Sequence, residues 1–191
     1  MYSTILFVKL KSYASKSKQF SFFKARSPSF GGGLQNGKRK SARPIDPKSS
    51  IHLVLKASRA KGAWSLLNRR HKTRIQDLLL KLSKENGIKI YQFVNVGNHL
   101  HILLKTRDRN GFQRFLRIFS ARVSMLITQA KKGNPQGRFW DELAFTRIVQ
   151  WGVDFERITR YFIKNEMESF GYTTGFAREL VQRGKLFFGS G

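Results

Sequence analysis

The apolar residues follow two different periods along the chain, and these periods predict the secondary structure. Runs typical of β-strands occupy residues 51–57, 88–96, 99–104 and 145–151. Apolar residues at helical spacing occupy three longer segments, at about 68–85, 108–127 and 154–169. The order strand, helix, strand, strand, helix, strand predicts an α+β fold, a ferredoxin-like split βαβ antiparallel sheet with helices on one face. The third helix is appended at the C-terminal side.

Each predicted helix has a recognisable beginning, end or apolar stripe. In the first, Ile75, Leu78, Leu79 and Leu82 form the stripe, and Asn86-Gly87 ends the helix. Asp108 and Asp154 are expected to cap the second and third helices. The stripe of the second helix is expected to lie in the core and consists of Phe112, Phe115, Leu116, Phe119, Val123, Leu126 and Ile127.

Two histidines lie two residues apart in the third predicted strand. Gly97-Asn98 predicts a tight turn before them, so this strand pairs with its predecessor in a hairpin. Successive side chains alternate between the faces of a strand, which puts His99 and His101 on one face and Leu100 and Ile102 on the core face. Two imidazoles on one face can bind a metal ion, but surface or hydrogen-bonded histidines give the same pattern.

The charge of the chain indicates a polyanionic partner. Lys and Arg number 37 against 11 Asp and Glu, which gives a net charge of +26, and nucleic acid is the simplest partner for it. The chain has no Cys, which excludes disulfides, thiolate zinc sites and a cysteine nucleophile. No apolar run is long enough to span a membrane. We expect a cytoplasmic protein associated with the nucleoid.

Basic residues concentrate before the first predicted strand. Residues 1–47 are predicted to be a basic, largely disordered arm, because the run Gly31-Gly32-Gly33 and the absence of acidic residues before Asp46 disfavour packing. A domain at 48–172 and a tail at 173–191 without a clear period follow. The residues expected to contact nucleic acid are Lys38, Arg39, Lys40, Arg43, Trp64, Arg69, Arg70 and Arg138.

The third predicted helix carries a tyrosine near its apolar face. On a helical wheel Phe155, Ile158 and Phe162 face the sheet, with Tyr161 at the edge of that arc and Asn165 on its shoulder. Tyr161 and Asn165 are four residues apart and are therefore neighbours on the helix. A tyrosine in this position is commonly half-buried with its hydroxyl in water.

Three motifs together resemble the REP-associated tyrosine transposases, which belong to the single-tyrosine HUH transposases acting on single-stranded DNA. The motifs are Gly97-Asn98-His99-Leu100-His101, Gly137-Arg138-Phe139-Trp140 and Arg160-Tyr161-Phe162-Ile163-Lys164-Asn165. The resemblance covers about residues 50–172. Gly97, Phe162 and Glu166 stand where the family commonly has proline, isoleucine and proline, and none of the three replaces a reacting group.

The resemblance implies a site and a reaction. His99 and His101 would be metal ligands, Asn165 the third protein ligand and Tyr161 the nucleophile. Neutral nitrogen and oxygen donors suit Mg²⁺ or Mn²⁺, which would activate a DNA phosphodiester. The resemblance further implies a 5′-phosphotyrosine intermediate, single-stranded or hairpin DNA as partner, and a monomer or homodimer.

Other functions are compatible with the same sequence. A nonenzymatic RNA- or DNA-binding protein could use the same sheet as a platform. An HUH nuclease could nick DNA without joining it to a second strand. Asp141 and Glu142 are the acidic residues nearest to the Trp140 motif and could accept a proton, although such residues more often stabilise turns.

Overall fold

The computed structural model describes residues 27–39 and 41–183. It has the predicted elements in the predicted order, and in addition one strand, one α-helix and two short 3-10 helices. The strands are β1 (Ser29–Phe30), β2 (Ser50–Lys56), β3 (Ile88–Asn95), β4 (His99–Thr106) and β5 (Phe145–Val149). The helices are α1 (Arg69–Glu85), α2 (Arg109–Thr128), α3 (Val153–Ser169) and α4 (Thr174–Arg183). Within the described residues, no helix is both long and apolar enough to cross a membrane.

The five strands form one antiparallel sheet in the order β1-β5-β2-β4-β3. The crossover through α1 leaves a space between β2 and β3, and β4 fills it as the hairpin partner of β3. This is the arrangement of a split βαβ unit. The ferredoxin-like α+β fold predicted from the order of the elements is therefore confirmed.

Helices α1 and α2 cover one face of the sheet, and their predicted stripes are confirmed. Ile75, Leu79 and Leu82 of α1 are buried in the main core. The strand residues that meet the two helices alternate along each strand and are Ile51, Leu53, Leu55, Leu100, Ile102 and Leu104. The fully buried residues of α2 are Phe112, Phe115, Phe119 and Val123.

Helix α3 covers the opposite face of the sheet. Its residues Phe155, Ile158 and Phe162 are buried, as predicted, in a second apolar cluster that includes Leu103 of β4. Since side chains alternate along a strand, this is the face that also carries the histidines of β4. We call it the histidine face.

The structure confirms one predicted helix cap and corrects the other. Asp108 caps α2 by accepting a hydrogen bond from the Gly111 backbone N–H at 2.7 Å. The prediction for Asp154 was wrong, because the N-cap of α3 is Gly152, two residues before Asp154. The Asp154 carboxylate instead accepts from Arg147 at 3.0 Å and from the Gln150 N–H at 3.2 Å, which ties the helix to β5.

Part of the arm expected to be disordered is packed on the sheet. Phe30 pairs with Thr146 of β5, and the Gly32 N–H donates to the Leu143 carbonyl at 2.8 Å. Gly31 has φ +84°, and a Cβ there would collide with the Ala144 carbonyl, so glycine permits this approach. The expectation is corrected for this segment, while residues 1–26 and Lys40 lie outside the described residues.

The tail expected to show no period contains a helix, α4. Its short length of ten residues left too few apolar positions to define a stripe. Ala177 is buried, and the rings of Tyr172 and Phe176 stack with centroids 5.4 Å apart. The helix packs against α3.

Candidate active site on the histidine face

His99 and His101 begin β4 and point away from the main core. Their rings are nearly parallel, at 11°, with centroids 5.9 Å apart. His99 is half-buried and His101 is buried. The alternation predicted from the sequence therefore brings both rings to one side of the sheet.

Each of these imidazoles has a polar neighbour at Nδ1. The His99 Nδ1 lies 2.7 Å from the Asn98 Oδ1. Since an amide oxygen only accepts, His99 carries its proton on Nδ1 and has a lone pair on Nε2. The His101 Nδ1 lies 3.3 Å from the Nε2 of a third histidine, His52. Among the described residues, the Nε2 atoms of His99 and His101 have no hydrogen-bond partner.

His52 is the site residue that the sequence patterns did not single out. It lies on β2 between core residues Ile51 and Leu53, and so it faces the same side as His101 on the neighbouring strand. Its ring is buried and stacks on that of His101 at 5.6 Å. The polar position between two apolar ones in a predicted strand was the only signal for it.

Burial keeps the three imidazoles neutral near pH 7. It is the main cause that lowers the pKa of His52 to about 3, with smaller contributions from the charges of His101 and Arg147. It lowers the pKa of His101 to about 4, with a smaller contribution from His99. The pKa of His99 is also lowered, mainly by burial. A neutral imidazole is the form that binds a metal ion through a ring nitrogen.

Helix α3 brings Tyr161 to the histidine pair. The Tyr161 ring lies 5.7 Å from the His101 ring and 6.1 Å from the His52 ring, measured between centroids. The next residue, Phe162, is buried beneath it and fixes the rotation of the helix. Tyr161 itself is 41% exposed, so its edge can be reached by a large substrate.

Asn165 lies one turn after Tyr161 and is half-buried. Its Nδ2 donates to the Tyr161 carbonyl at 2.8 Å, within the same helix. Among the described residues, its Oδ1 has no hydrogen-bond donor. An amide oxygen in this state can still accept or coordinate.

The donor set on this face fits a divalent cation. In the described part of the chain, no group of three His, Cys, Asp or Glu side chains could hold a metal ion. The side-chain atoms that could serve as protein donors are the Nε2 atoms of His99 and His101 and the Oδ1 of Asn165, each without a hydrogen-bond partner among the described residues. This neutral set leaves coordination positions for phosphate oxygens and water.

The segment that follows Gly137 packs beside the start of β4. The Trp140 Nε1–H donates to the Ser120 carbonyl of α2 at 2.9 Å, so this indole serves as an anchor. Both Asp141 carboxylate oxygens accept from Ser58, at 2.8 and 2.7 Å. Glu142 accepts from Asn36 at 3.3 Å. These contacts give the two acidic residues structural roles in the loop.

The residues expected to contact nucleic acid fall into different environments. Lys38, Arg39, Arg69, Arg70 and Arg138 are exposed. Arg43 is half-buried, and its Nη1 donates to Ala144 and Thr146 at 2.7 Å each while its guanidinium covers the Phe30 ring. Burial lowers its pKa to about 10. These contacts fasten the arm to β5, and the expected contact of Arg43 with nucleic acid stays a prediction. Lys40 lies outside the described residues.

Trp64 and Arg70 line a cavity of about 440 Å³ at the outer side of α1 and α2. A second cavity of about 490 Å³ adjoins it and shares Arg74 and Gln129. We call the two together the α1–α2 groove. Its lining includes four cationic and no acidic side chains, namely Arg70, Arg74, Arg122 and Lys131. The groove lies on the opposite side of the sheet from the histidine face.

The fold and the site together define a ferredoxin-like protein with two histidines and a helix-borne tyrosine on one sheet face. Residues 47–165 match the sequence model of the family described as Transposase IS200 like. That span is more than half of the 191 residues, and the chain belongs to the IS200-like transposase family. It is accordingly a transposase-like, DNA-processing protein, and the family predicted from the motifs is confirmed.

Solved structures of similar fold include two transposases. One is a REP-associated tyrosine transposase bound to a REP hairpin, with 13% identity over 69% of this chain and 74% of that chain and a TM-score of 0.46. The other is from Deinococcus radiodurans R1, with 18% identity over 67% of this chain and 98% of that chain and a TM-score of 0.41. A search of curated proteins found no match.

Proposed function

We propose that this protein is a metal-dependent, single-tyrosine nicking and joining enzyme that acts on single-stranded or hairpin DNA. The observation that carries the proposal is the approach of Tyr161 to His101, 5.7 Å between ring centroids, on the face that holds both histidines. Membership of the IS200-like family supports the same chemistry. We further propose that residues 48–172 form the catalytic domain and that the protein acts in the cytoplasm.

In this proposal His99, His101 and Asn165 hold Mg²⁺ or Mn²⁺ through two Nε2 atoms and one Oδ1. The cation supplies charge neutralisation at a phosphate oxygen and orients the scissile phosphodiester. The neutral imidazoles and the unpaired Oδ1 support this assignment, because none of the three groups must lose a proton to bind.

Tyr161 is the proposed nucleophile. Its oxygen loses its proton and bonds to the phosphorus, while the bond from phosphorus to the 3′ oxygen of the preceding nucleotide breaks. The products are a 5′-phosphotyrosine link and a free 3′-hydroxyl, which takes up a proton. The link conserves the phosphodiester, so attack by a second 3′-hydroxyl rejoins a strand and releases Tyr161 without ATP.

Exposed cations are the proposed contacts for the DNA backbone. Arg69, Arg70 and Arg138 are exposed on the domain, and Lys38 and Arg39 are exposed on the arm. Lys40 completes the proposed set, and Trp64 is a proposed stacking platform beside Arg70. The Arg59 guanidinium lies 4.9 Å from the centre of the Trp64 indole, so a base at Trp64 would meet a cation as well as an aromatic ring.

The test is a cleavage assay with end-labelled single-stranded hairpin oligonucleotides and Mn²⁺, read on a denaturing gel. We expect wild-type protein to form a covalent protein–DNA adduct and Tyr161→Phe to form none, since only the hydroxyl is removed. Tyr172→Phe is the matched control, because Tyr172 is similarly exposed but lies beyond α3. It should form the adduct at the wild-type rate.

The assay also separates the alternative functions. Salt-sensitive binding without any adduct, across several oligonucleotides and metals, would contradict the enzymatic proposal and favour a nucleic-acid-binding protein. An adduct that never transfers to an added 3′-hydroxyl strand would indicate a nicking enzyme. An adduct retained by Tyr161→Phe would place the nucleophile elsewhere.

A further inference from the structure

His52 is a buried polar residue to which neither the sequence motifs nor the proposed reaction gives a role. It lies 49 positions from His101 in the sequence, and the two imidazole nitrogens are 3.3 Å apart. The His52 ring is 6% exposed. A buried imidazole contributes little to packing that an apolar ring would not, so its polarity calls for a chemical explanation.

His52 is rigidly held by aromatic side chains around it. The rings of Phe162 on α3 and Phe145 on β5 pack edge-on against it, with centroids 5.2 Å and 6.4 Å from that of His52. Tyr161 meets it at 6.1 Å. His52 therefore has a fixed position between the strand that carries His101 and the helix that carries the tyrosine.

The geometry argues against His52 as a third metal ligand. The His52 Nε2 points at the Nδ1 of His101. In the His101 ring, Nδ1 lies on the side away from the Nε2 of the same ring, which is the proposed metal-binding atom. Moreover, no cluster of three histidine or acidic side chains suited to a metal ion occurs in the residues described. His52 consequently acts on His101 and not on the ion.

We propose that His52 is a positioning residue whose Nε2 accepts the Nδ1–H of His101 and so holds His101 with its Nε2 lone pair free for the metal ion. Asn98 does the same for His99, since its Oδ1 accepts the Nδ1–H at 2.7 Å. Both proposed ligands then have their tautomer fixed by a neighbour, which is how outer-sphere residues tune histidine ligands. The inference rests on the proposed function, because it assumes that the histidine pair binds metal.

The first experiment measures Mn²⁺ affinity by electron paramagnetic resonance, in the absence of DNA. His52→Phe keeps the ring volume but removes the acceptor, and we expect it to weaken Mn²⁺ binding by about 10- to 100-fold. His52→Gln retains an acceptor oxygen and should stay within a few-fold of wild type. His71→Phe is the matched control, because His71 is equally buried but lies on α1, behind the opposite face.

The second experiment reads the tautomer directly, in wild-type protein loaded with Zn²⁺. The chain has four histidines, so two-bond ¹H–¹⁵N NMR spectra can be assigned from single substitutions. We expect the proton of His101 on Nδ1. A proton on Nε2 would overturn the proposal even if His52→Phe did not fold.

The outcomes distinguish this inference from the proposed function. If wild-type protein binds neither Mn²⁺ nor Zn²⁺, both the metal site and the role of His52 are wrong. If wild-type protein and His52→Phe bind Mn²⁺ equally, the metal site stands and the role of His52 is wrong. If His52→Phe and His71→Phe weaken Mn²⁺ binding equally, the proposed role of His52 is also wrong, because the loss would then be a general effect of core substitution.

Discussion

At the scale of single residues, the neutral imidazoles of His52 and His101 make the histidine face sensitive to acid. In the unfolded chain histidines take up a proton near pH 6.5. In the folded protein burial delays this step, for His52 to about pH 3 and for His101 to about pH 4. Below pH 6.5 the unfolded state therefore binds more protons, and the stability that is complete above this pH is lost as the pH falls.

We predict that the free energy of unfolding, measured with urea in the presence of a chelator, falls between pH 6.5 and 5. Each pKa unit of difference corresponds to about 1.4 kcal/mol, so each buried histidine accounts for about 2 kcal/mol over this range. His52→Gln should show about half of the wild-type decrease. A stability that stays constant down to pH 5 would contradict the burial of neutral imidazoles.

At the scale of elements, the turn between β3 and β4 explains one departure from the family pattern. Gly97 has φ +92°, which proline cannot adopt. Its N–H donates to the Asn95 Oδ1 at 3.0 Å, and the Asn95 Nδ2 donates to the Leu66 carbonyl at 2.8 Å. The glycine is thus part of a local network that a proline would remove.

We predict that Gly97→Pro, although it restores the residue common in the family, lowers the free energy of unfolding by about 3 kcal/mol or more. Gly97→Ala retains the N–H and should cost only about 1 to 2 kcal/mol, from the positive φ. Urea unfolding of both variants measures the difference. Equal losses would show that the hydrogen bond and the proline ring contribute nothing beyond backbone strain.

A second prediction at this scale concerns the packing of the arm. Gly31→Ala places a Cβ against the Ala144 carbonyl and should separate β1 from β5. We expect faster amide hydrogen exchange at Gly32 and Ile148, whose N–H groups donate to Leu143 and Pro28. Gly37→Ala is the control, because no atom lies within 4 Å of a Cβ at Gly37. Unchanged exchange in Gly31→Ala would contradict the close approach.

The elements that could be predicted from the sequence are those with enough residues to show a period. The stripe of α2 spans about four helical turns, and the alternation in β4 assigns both histidine positions to one face. Strand β1 has two residues, too few for any period, and its pairing depends on a contact with residues more than 110 positions away. His52 was missed for a similar reason, since its partner lies on another strand and no spacing in the chain relates them.

At the scale of the whole molecule, a cluster of positive charge lies on the side of the sheet away from the histidine face. The α1–α2 groove contains four cationic side chains, and within the described residues none of them forms an ion pair. A DNA segment in this groove would be separate from the segment at Tyr161. The protein could then hold a folded or long DNA on one side and react with a single strand on the other.

We predict that Arg74→Gln combined with Arg122→Gln reduces the salt dependence of DNA binding. Each lost phosphate contact should lower the slope of log K against log salt by about 0.7 to 0.9, and hence by about 1.4 to 1.8 for two. Lys81→Gln with Lys84→Gln is the control, because these exposed lysines of α1 change the net charge equally but lie outside the groove. Fluorescence anisotropy at several salt concentrations measures both. The same slope change in both pairs would indicate a general charge effect.

The two-residue strand β1 also protects the sheet from self-association. It covers β5 at Thr146 and Arg147, and an edge of two residues is too short to template pairing with another molecule. A chain shortened to begin at residue 41 would leave Phe145–Val149 with unpaired backbone groups along an open edge. Such strands pair edge to edge with other molecules, and the shortened protein should therefore lose solubility even where its proposed catalytic residues are intact.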